Sequence, residues 1–232
     1  MAQFFDSTIS IADTSFILNE EESLHICKVL RLKNGQEIEL VNGKGSIFQA
    51  KITDAHPKKC AVEILSFHTE KAADFEIHIA IAPTKNMDRL EWMVEKCTEL
   101  GATHFTFLLC KNNERKILKI DRLEKIAISA MKQSKRKYLP TIASLPTFKD
   151  FVKQHPAGLI AHCYEGEKSV IKEAITKKNC PILIGPEGDF SIDEVDFALA
   201  NGYKAISLGN NRLRTETAGL FACMQNLVTF QV

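Results

Sequence analysis

The stretch whose reading decides the fold is Lys204-Ala-Ile-Ser-Leu-Gly-Asn-Asn-Arg-Leu-Arg-Thr-Glu-Thr-Ala218. Lys204 to Leu208 has the length and character of a buried strand. Glu216 to Phe230 is apolar at helical spacing, and a glycine loop joins the two. Upstream, Pro181-Ile-Leu-Ile-Gly-Pro-Glu-Gly-Asp189 repeats the pattern: a short apolar strand, a glycine turn, and then a helix. That helix opens on the capping box Ser191-Ile-Asp-Glu194 and stops at Asn201-Gly202. Glycine lets backbone approach a ligand closely, and open α/β sheets bind ligands at the carboxyl ends of their strands. Either loop alone is more often only a tight turn. The pair, with Arg214 and Glu216 in the second, points to one pocket.

Working outward, residues 73–232 alternate strands and helices, which implies a parallel sheet covered by helices. Glu76 to Ala82, Thr103 to Leu109, Leu159 to Cys163 and Pro181 to Ile184 read as strands. Leu90, Met93, Val94 and Cys97 form a helical stripe that Gly101 can stop, and Leu123, Ile126, Ala127, Ala130 and Met131 form another. Trp92, on such a face, reads as a core residue. Residues 1–72 read as a small β-barrel. Gln36–Val41 and Ser46–Ile52 flank Asn42-Gly43, the signature of a two-residue type I′ hairpin turn. Cys60–Leu65 adds a strand, Leu24–Leu30 reads as a short helix, and His68–Asp74 as a polar linker.

The formal net charge of +1 conceals one basic segment: residues 111–137 hold ten Lys/Arg against three Asp/Glu. Such a cluster attracts polyanions, although a charged helix face is usually just solvated. The seven cysteines and seven histidines show no metal-ligand spacing, so no metal is expected. Free thiols, no signal-peptide pattern at Met1–Asp6 and no membrane-length apolar run point to the cytoplasm and away from membranes. Gly-x-Gly-x-x-Gly at a strand–helix junction, the P-loop and Gly-x-Ser-x-Gly are missing. This excludes the usual dehydrogenase, NTPase and serine acyl-transfer signatures.

The chain resembles the bacterial family that methylates N3 of a uridine in 16S ribosomal RNA of the small subunit, within the SPOUT class. The resemblance rests on Arg89-Leu-Glu-Trp-Met-Val-Glu-Lys-Cys-Thr-Glu-Leu-Gly101, Gln133-Ser-Lys-Arg136, Ile184-Gly-Pro-Glu-Gly188, Leu208-Gly and Leu213-Arg-Thr-Glu-Thr-Ala218. His25-Ile-Cys-Lys-Val-Leu-Arg-Leu32 also fits. The matches run in order over nearly the whole chain, and the last motif is the specific one. The chain departs from the family's pattern in several places. Asp189 stands where Gly is usual, Lys132 where Glu is often found, and Asn211 and Arg212 where Arg and an aliphatic are usual. Gln3 stands where Arg is common.

The resemblance implies a PUA-like β-barrel (1–72) followed by a SPOUT α/β domain with a trefoil knot (73–232), assembled as a homodimer acting on the small ribosomal subunit. It implies S-adenosyl-L-methionine held by Ile184, Gly185, Pro186, Glu187, Gly188, Leu208, Gly209, Leu213, Arg214, Thr215 and Ala218, with Glu187 orienting the loop. Uridine N3 must lose its proton to attack the sulfonium methyl. Arg214 is the candidate cation for the uracil oxygens and Glu216 the candidate proton acceptor; the alternative for Glu216 is pairing with a neighbouring arginine or with the opening turn of the last helix. Lys28, Arg31, Arg115, Lys132, Lys135 and Arg136 are candidate phosphate contacts, and Gln133 and Ser134 candidate linings of the target site or the dimer interface. The open alternatives are another SPOUT methylation, of transfer-RNA guanosine or ribose, and a non-catalytic RNA-binding or ribosome-assembly protein.

Overall fold

The computed structural model describes residues 2–143 and 146–231. The chain forms two compact units, one of residues 1–72 with 131–139, the other of 73–130 with 140–232.

The first unit is a five-stranded sheet of β1 (Gln3–Phe5), β2 (Ser15–Ile17), β3 (Glu37–Val41), β4 (Ser46–Asp54) and β5 (Ala61–Thr69), in the order β1-β3-β4-β5-β2. All neighbours are antiparallel except β1 and β3. The sheet curls over Phe4, Leu18, Ile26, Leu40, Phe48 and Val62 but does not close: β1 and β2 remain edges, so the expected barrel is a half-barrel. Register shifts in β4–β5 between Gln49 and Ala50, and between Ile52 and Asp54, supply local bends of the kind that curl a sheet. Thr69, expected in a linker, still pairs with Ser46.

The hairpin forms where Asn42-Gly43 predicts it, but not with a two-residue type I′ turn. Four residues, 42–45, connect the strands, and the positive φ angles fall on Gly43 (71°) and Gly45 (94°), not on Asn42. The Asn42 carboxamide accepts from the N–H groups of Lys44 (2.9 Å) and Ser46 (3.1 Å), so the side chain stands in for a backbone acceptor. The reason is tertiary. Residues 137–139 lie along the turn, with Gly45 N donating to Lys137 O and Leu139 N to Gly43 O. A Cβ on Gly45 would sit 2.3 Å from the Tyr138 hydroxyl. The short helix predicted near Leu24–Leu30 is α1 (Glu20–Leu24), capped by Asn19, followed by one π-helical turn over His25–Val29.

The second unit has a seven-stranded, wholly parallel sheet. Its strands are β6 (Glu76–Ile81), β7 (His104–Phe107), β8 (Thr141–Ala143), β9 (Leu159–Ala161), β10 (Ser169–Val170), β11 (Asn179–Ile184) and β12 (Lys204–Ser207), ordered β10-β12-β9-β11-β6-β7-β8. The helices are α2 (Met87–Leu100), α3 (Ile120–Gln133), α4 (Phe148–Gln154), α5 (Ile171–Ala174), α6 (Ile192–Ala200) and α7 (Thr215–Gln231). The late strand β12 lies between the earlier β9 and β10, a crossing no local pattern announces. Alternate residues of β6 face opposite ways. Ala80 joins Phe148, Phe151, Val195 and Tyr203 of the α4–α6 side, and Ile81 meets α7 at Gly219. The capping box of α6 forms as predicted, with Ser191 and Glu194 bonding each other's backbone.

Trp92 corrects the sequence reading: it is 43% exposed on α2, while Leu90, Met93, Val94 and Cys97 fill the buried stripe. Among the described residues no helix is long and apolar enough to cross a membrane, and no group of three or more His, Cys, Asp or Glu is placed to hold a metal ion.

Candidate active site

Three neighbouring strands end side by side. Ile184 of β11 is in register with Ala161 of β9, and Ala161 with Ile206 of β12. Their carboxyl ends release three loops into one region, and these loops enclose a cavity of about 660 Å³. This lies within the usual range for small-molecule sites.

The two glycine loops recognised in the sequence meet here. Thr215 Oγ1 donates to the carbonyl of Gly185 at 3.1 Å, joining the start of α7 to the end of β11. Ile184, Gly185, Pro186, Glu187, Leu208, Gly209, Leu213, Arg214, Thr215, Glu216 and Ala218 all line the cavity. Gly188 does not; its carbonyl accepts from Asn112 Nδ2 on the outer side of the turn. At Gly185 a Cβ would lie 3.1 Å from Phe190 N and 3.2 Å from its ring, so a side chain there would have to push Phe190 aside by a few tenths of an ångström. Glu187 Oε1 accepts from Lys85 N at 2.8 Å, tying this turn to the segment between β6 and α2.

The charged groups differ in their freedom. Arg214 is exposed. Its backbone carbonyl accepts from Ala218 N in the first turn of α7, and among the described residues its guanidinium has no hydrogen bond or ion pair. Glu216 is only 7% exposed and faces Arg89 Nε at 3.8 Å. The alternative of pairing with an arginine is therefore realised, with a partner that comes from α2. A carboxylate in the first turn of a helix is also favoured by the helix dipole.

Sequence reasoning missed Arg89, His162, Cys163, Lys168, Asp189, Ile206 and Asn210 to Arg212 as further wall residues. Arg89 belongs to a quoted motif, and Asn211 and Arg212 were visible as departures from the pattern. The β9 loop was invisible because nothing local reveals that β9 lies between β11 and β12. Burial, and secondarily Lys168, lowers the pKa of His162. Burial and the neighbouring Asp189 raise that of Cys163.

The candidate RNA residues also separate. Lys28, Arg31, Gln133 and Lys135 are exposed, while Ser134 and Arg136 are half-buried. Arg31 and Lys135 both have φ of 55°, each just beyond the end of a helical segment. Lys132 instead pairs with buried Glu22, whose Oε1 also accepts from Phe5 N. Gln3 binds the Arg136 carbonyl at 2.9 Å and Lys137 Nζ at 2.8 Å. Arg115 bonds the carbonyls of Thr84 and Lys85, in the second unit. Lys132 and Arg115 thus have internal employment that the sequence reading did not assign.

Known proteins share this arrangement. Residues 71–225 match the RNA methyltransferase domain family, and residues 18–65 the RNA methyltransferase PUA domain family. The ribosomal RNA small subunit methyltransferase E of Synechocystis is 31% identical over 228 residues, covering 93% of this chain and 73% of the relative. A crystal structure described as a probable rRNA-methyltransferase from Porphyromonas gingivalis superposes with a TM-score of 0.89, at 37% identity and over 99% and 98% of the two chains. The Neisseria gonorrhoeae ribosomal RNA small subunit methyltransferase E, solved bound to S-adenosyl methionine, gives a TM-score of 0.84 at 25% identity, covering 96% and 95%. Two matched domains, in order, and relatives spanning almost the full length lead to one conclusion: the chain belongs to the ribosomal RNA small subunit methyltransferase E family, its sequence running from a PUA-like half-barrel into an RNA methyltransferase domain.

Proposed function

We propose that the protein transfers the methyl group of S-adenosyl-L-methionine to N3 of a uridine in 16S ribosomal RNA. The observation that carries this reading is the meeting of two glycine loops, at Thr215 and Gly185, around a cavity at the carboxyl ends of β9, β11 and β12. The residues suit that cofactor: backbone groups at Gly185 and Gly209, apolar walls at Ile184, Leu213 and Ala218, and polar groups at Thr215 and Glu187. When bound, it supplies an electrophilic methyl group. Enclosing and aligning the reactants can contribute roughly 7–11 kcal/mol of barrier lowering.

Arg214 is a cation at the cavity that has no side-chain partner among the described residues. It stabilises negative charge on the uracil oxygens as N3 gives up its proton. Glu216, held toward the cavity by Arg89, accepts that proton directly or through a water. Lys28, Arg31, Lys135 and Arg136 engage phosphates, positioning the RNA without choosing the base. Gln133 and Ser134 accompany them. Lys132, paired with buried Glu22, and Arg115, bonded to two backbone carbonyls, are left out of this set, and Arg136 stays in it on the sequence motif alone. Residues 1–72, joined in one compact unit by 131–139, bind RNA, and the remainder of 73–232 carries the transfer. Helices α2 and α7, which pack on each other, expose Trp92, Met224 (42%) and Val228 (46%), apolar side chains that a second copy of the chain would cover in a homodimer. Free cysteines fit a reducing cytoplasm.

The test is incubation of purified small subunits with labelled methyl donor, followed by nucleoside analysis. Label in 3-methyluridine is expected; label in guanosine or ribose would transfer the reading to another methylation, and no label would end it. Arg214→Ala should lower kcat by about 10²-fold or more while cofactor affinity stays within about threefold. Full turnover in that variant would remove Arg214 from the mechanism.

A further inference from the structure

Two walls of the cavity come from segments far apart in sequence: residues 162–168, between β9 and β10, and the turn 185–189 after β11. The first has little to hold it, since Cys163 to Glu167 are exposed. Two side chains fasten it, Asp189 from the turn and Tyr164 from the segment itself. Asp189 Oδ2 accepts from Cys163 N at 2.7 Å, and Oδ1 from Phe190 N at 2.8 Å. A second tie lies beside it, where the Tyr164 hydroxyl donates to Phe190 O at 2.6 Å. The turn is anchored in its own right: Asp189 N donates to Pro186 O, and Asn112 Nδ2 donates to Asp189 O at 3.0 Å.

The backbone at Asp189 has φ of 63°, in the left-handed region where glycine is at ease and a side chain is not. A short acidic side chain tolerates this region best when it bonds locally, and here it bonds across two loops. The position therefore carries a side chain against its backbone preference, and what that side chain gains is a grip on the neighbouring wall.

We infer that Asp189 is a positioning residue for the methyl donor. It holds residues 162–168 against the 185–189 turn, so the cavity is formed before the cofactor enters. Without that grip only the Tyr164 tie would hold the segment, and affinity would fall by the fraction of time the wall is out of place. The inference rests on reading the cavity as the S-adenosyl-L-methionine site.

The variant Asp189→Gly removes the grip and suits the backbone, so it should unfold no more readily than the parent. Titration calorimetry with S-adenosyl-L-methionine is expected to show affinity about tenfold weaker in Asp189→Gly. The demethylated product, S-adenosylhomocysteine, should lose a similar factor. Asp189→Asn, which keeps one carbonyl acceptor, should recover most of the loss. Hydrogen exchange of the free protein should be faster over residues 162–168 in Asp189→Gly. Parental affinity in Asp189→Gly, or unchanged exchange over 162–168, overturns the positioning role. Exchange in the parent protein separates the two levels. Cofactor should protect residues 185–188 and 208–214; if it protects neither, the cavity reading falls and this inference falls with it. Protection there together with parental affinity in Asp189→Gly refutes the positioning role alone.

Discussion

Stability should fall in mild acid because of one half-buried histidine. His78 of β6 lies between sheet and helix, its Nε2 2.9 Å from Thr106 Oγ1. The rings of His104, Phe151 and His155 surround it at 5.3, 5.5 and 5.6 Å. Burial first, and then the neighbouring His104 and His155, push its pKa down from 6.5 to about 3. A base with a depressed folded pKa contributes stability that is complete above the unfolded value of about 6.5. That stability is lost as pH falls toward the folded value, because only the unfolded chain takes up the proton. From pH 6.5 to 5 this one group removes roughly 1.5–2 kcal/mol. His104, also lowered by burial against the opposing pull of Glu76, adds in the same direction. The assay is urea unfolding between pH 5 and 8 for the parent and for His78→Gln, which keeps a donor for Thr106 but cannot titrate. The parent should lose about 1.5–2 kcal/mol more than the variant between pH 6.5 and 5, and the two profiles should run parallel above pH 7.5. A parent–variant difference that does not change with pH would refute the reasoning, since it would mean His78 takes up its proton equally in both states.

Two other perturbations address the first unit. Lys132→Ala takes the lysine from Glu22, whose side chain is 6% exposed and keeps Phe5 N as a donor; with that donor left and Lys132 itself 20% exposed, the loss is discounted to about 2 kcal/mol in urea unfolding. The pair Glu22→Gln with Lys132→Met should restore most of it, and a double variant no better than the single would show that the charge pair is not what matters. Gly45→Ala places a Cβ 2.3 Å from the Tyr138 hydroxyl at a φ of 94°, so it should destabilise by about 2 kcal/mol or more; parental stability would show that residues 137–139 yield freely. In RNA binding, removing Lys28, Arg31 and Lys135 together should reduce the slope of log affinity against log salt by about 2–3, and an unchanged slope would exclude them as phosphate contacts.

Much of the second unit was legible because its signals are local. Strand-length apolar runs, helical stripes, the Ser191–Glu194 box and the glycine stops depend on residues a few positions apart, and these elements form where those patterns lie. The two glycine loops were legible for the same reason. Trp92 misled because a helical stripe fixes spacing but not its phase at the margin: the residue lies beside the buried face, not on it. Asn42-Gly43 named the hairpin, but its turn was set by residues 137–139, which dock on it from almost a hundred positions away.

By itself, then, the sequence determined the alternation of elements, the loops able to lie close to a ligand, and the motifs that carry the family resemblance. Strand order was decided by the tertiary structure, since every parallel strand offers its neighbours the same ladder and only packing selects among them. Placing β9 beside β11 and β12 brought His162 and Cys163 into the cavity wall. The same folding gave Glu216 its arginine, Lys132 its buried carboxylate and Asp189 its grip on a distant loop. A charge in a sequence has no partner until the chain folds, and it is the partner that decides whether that charge is free to meet RNA or cofactor.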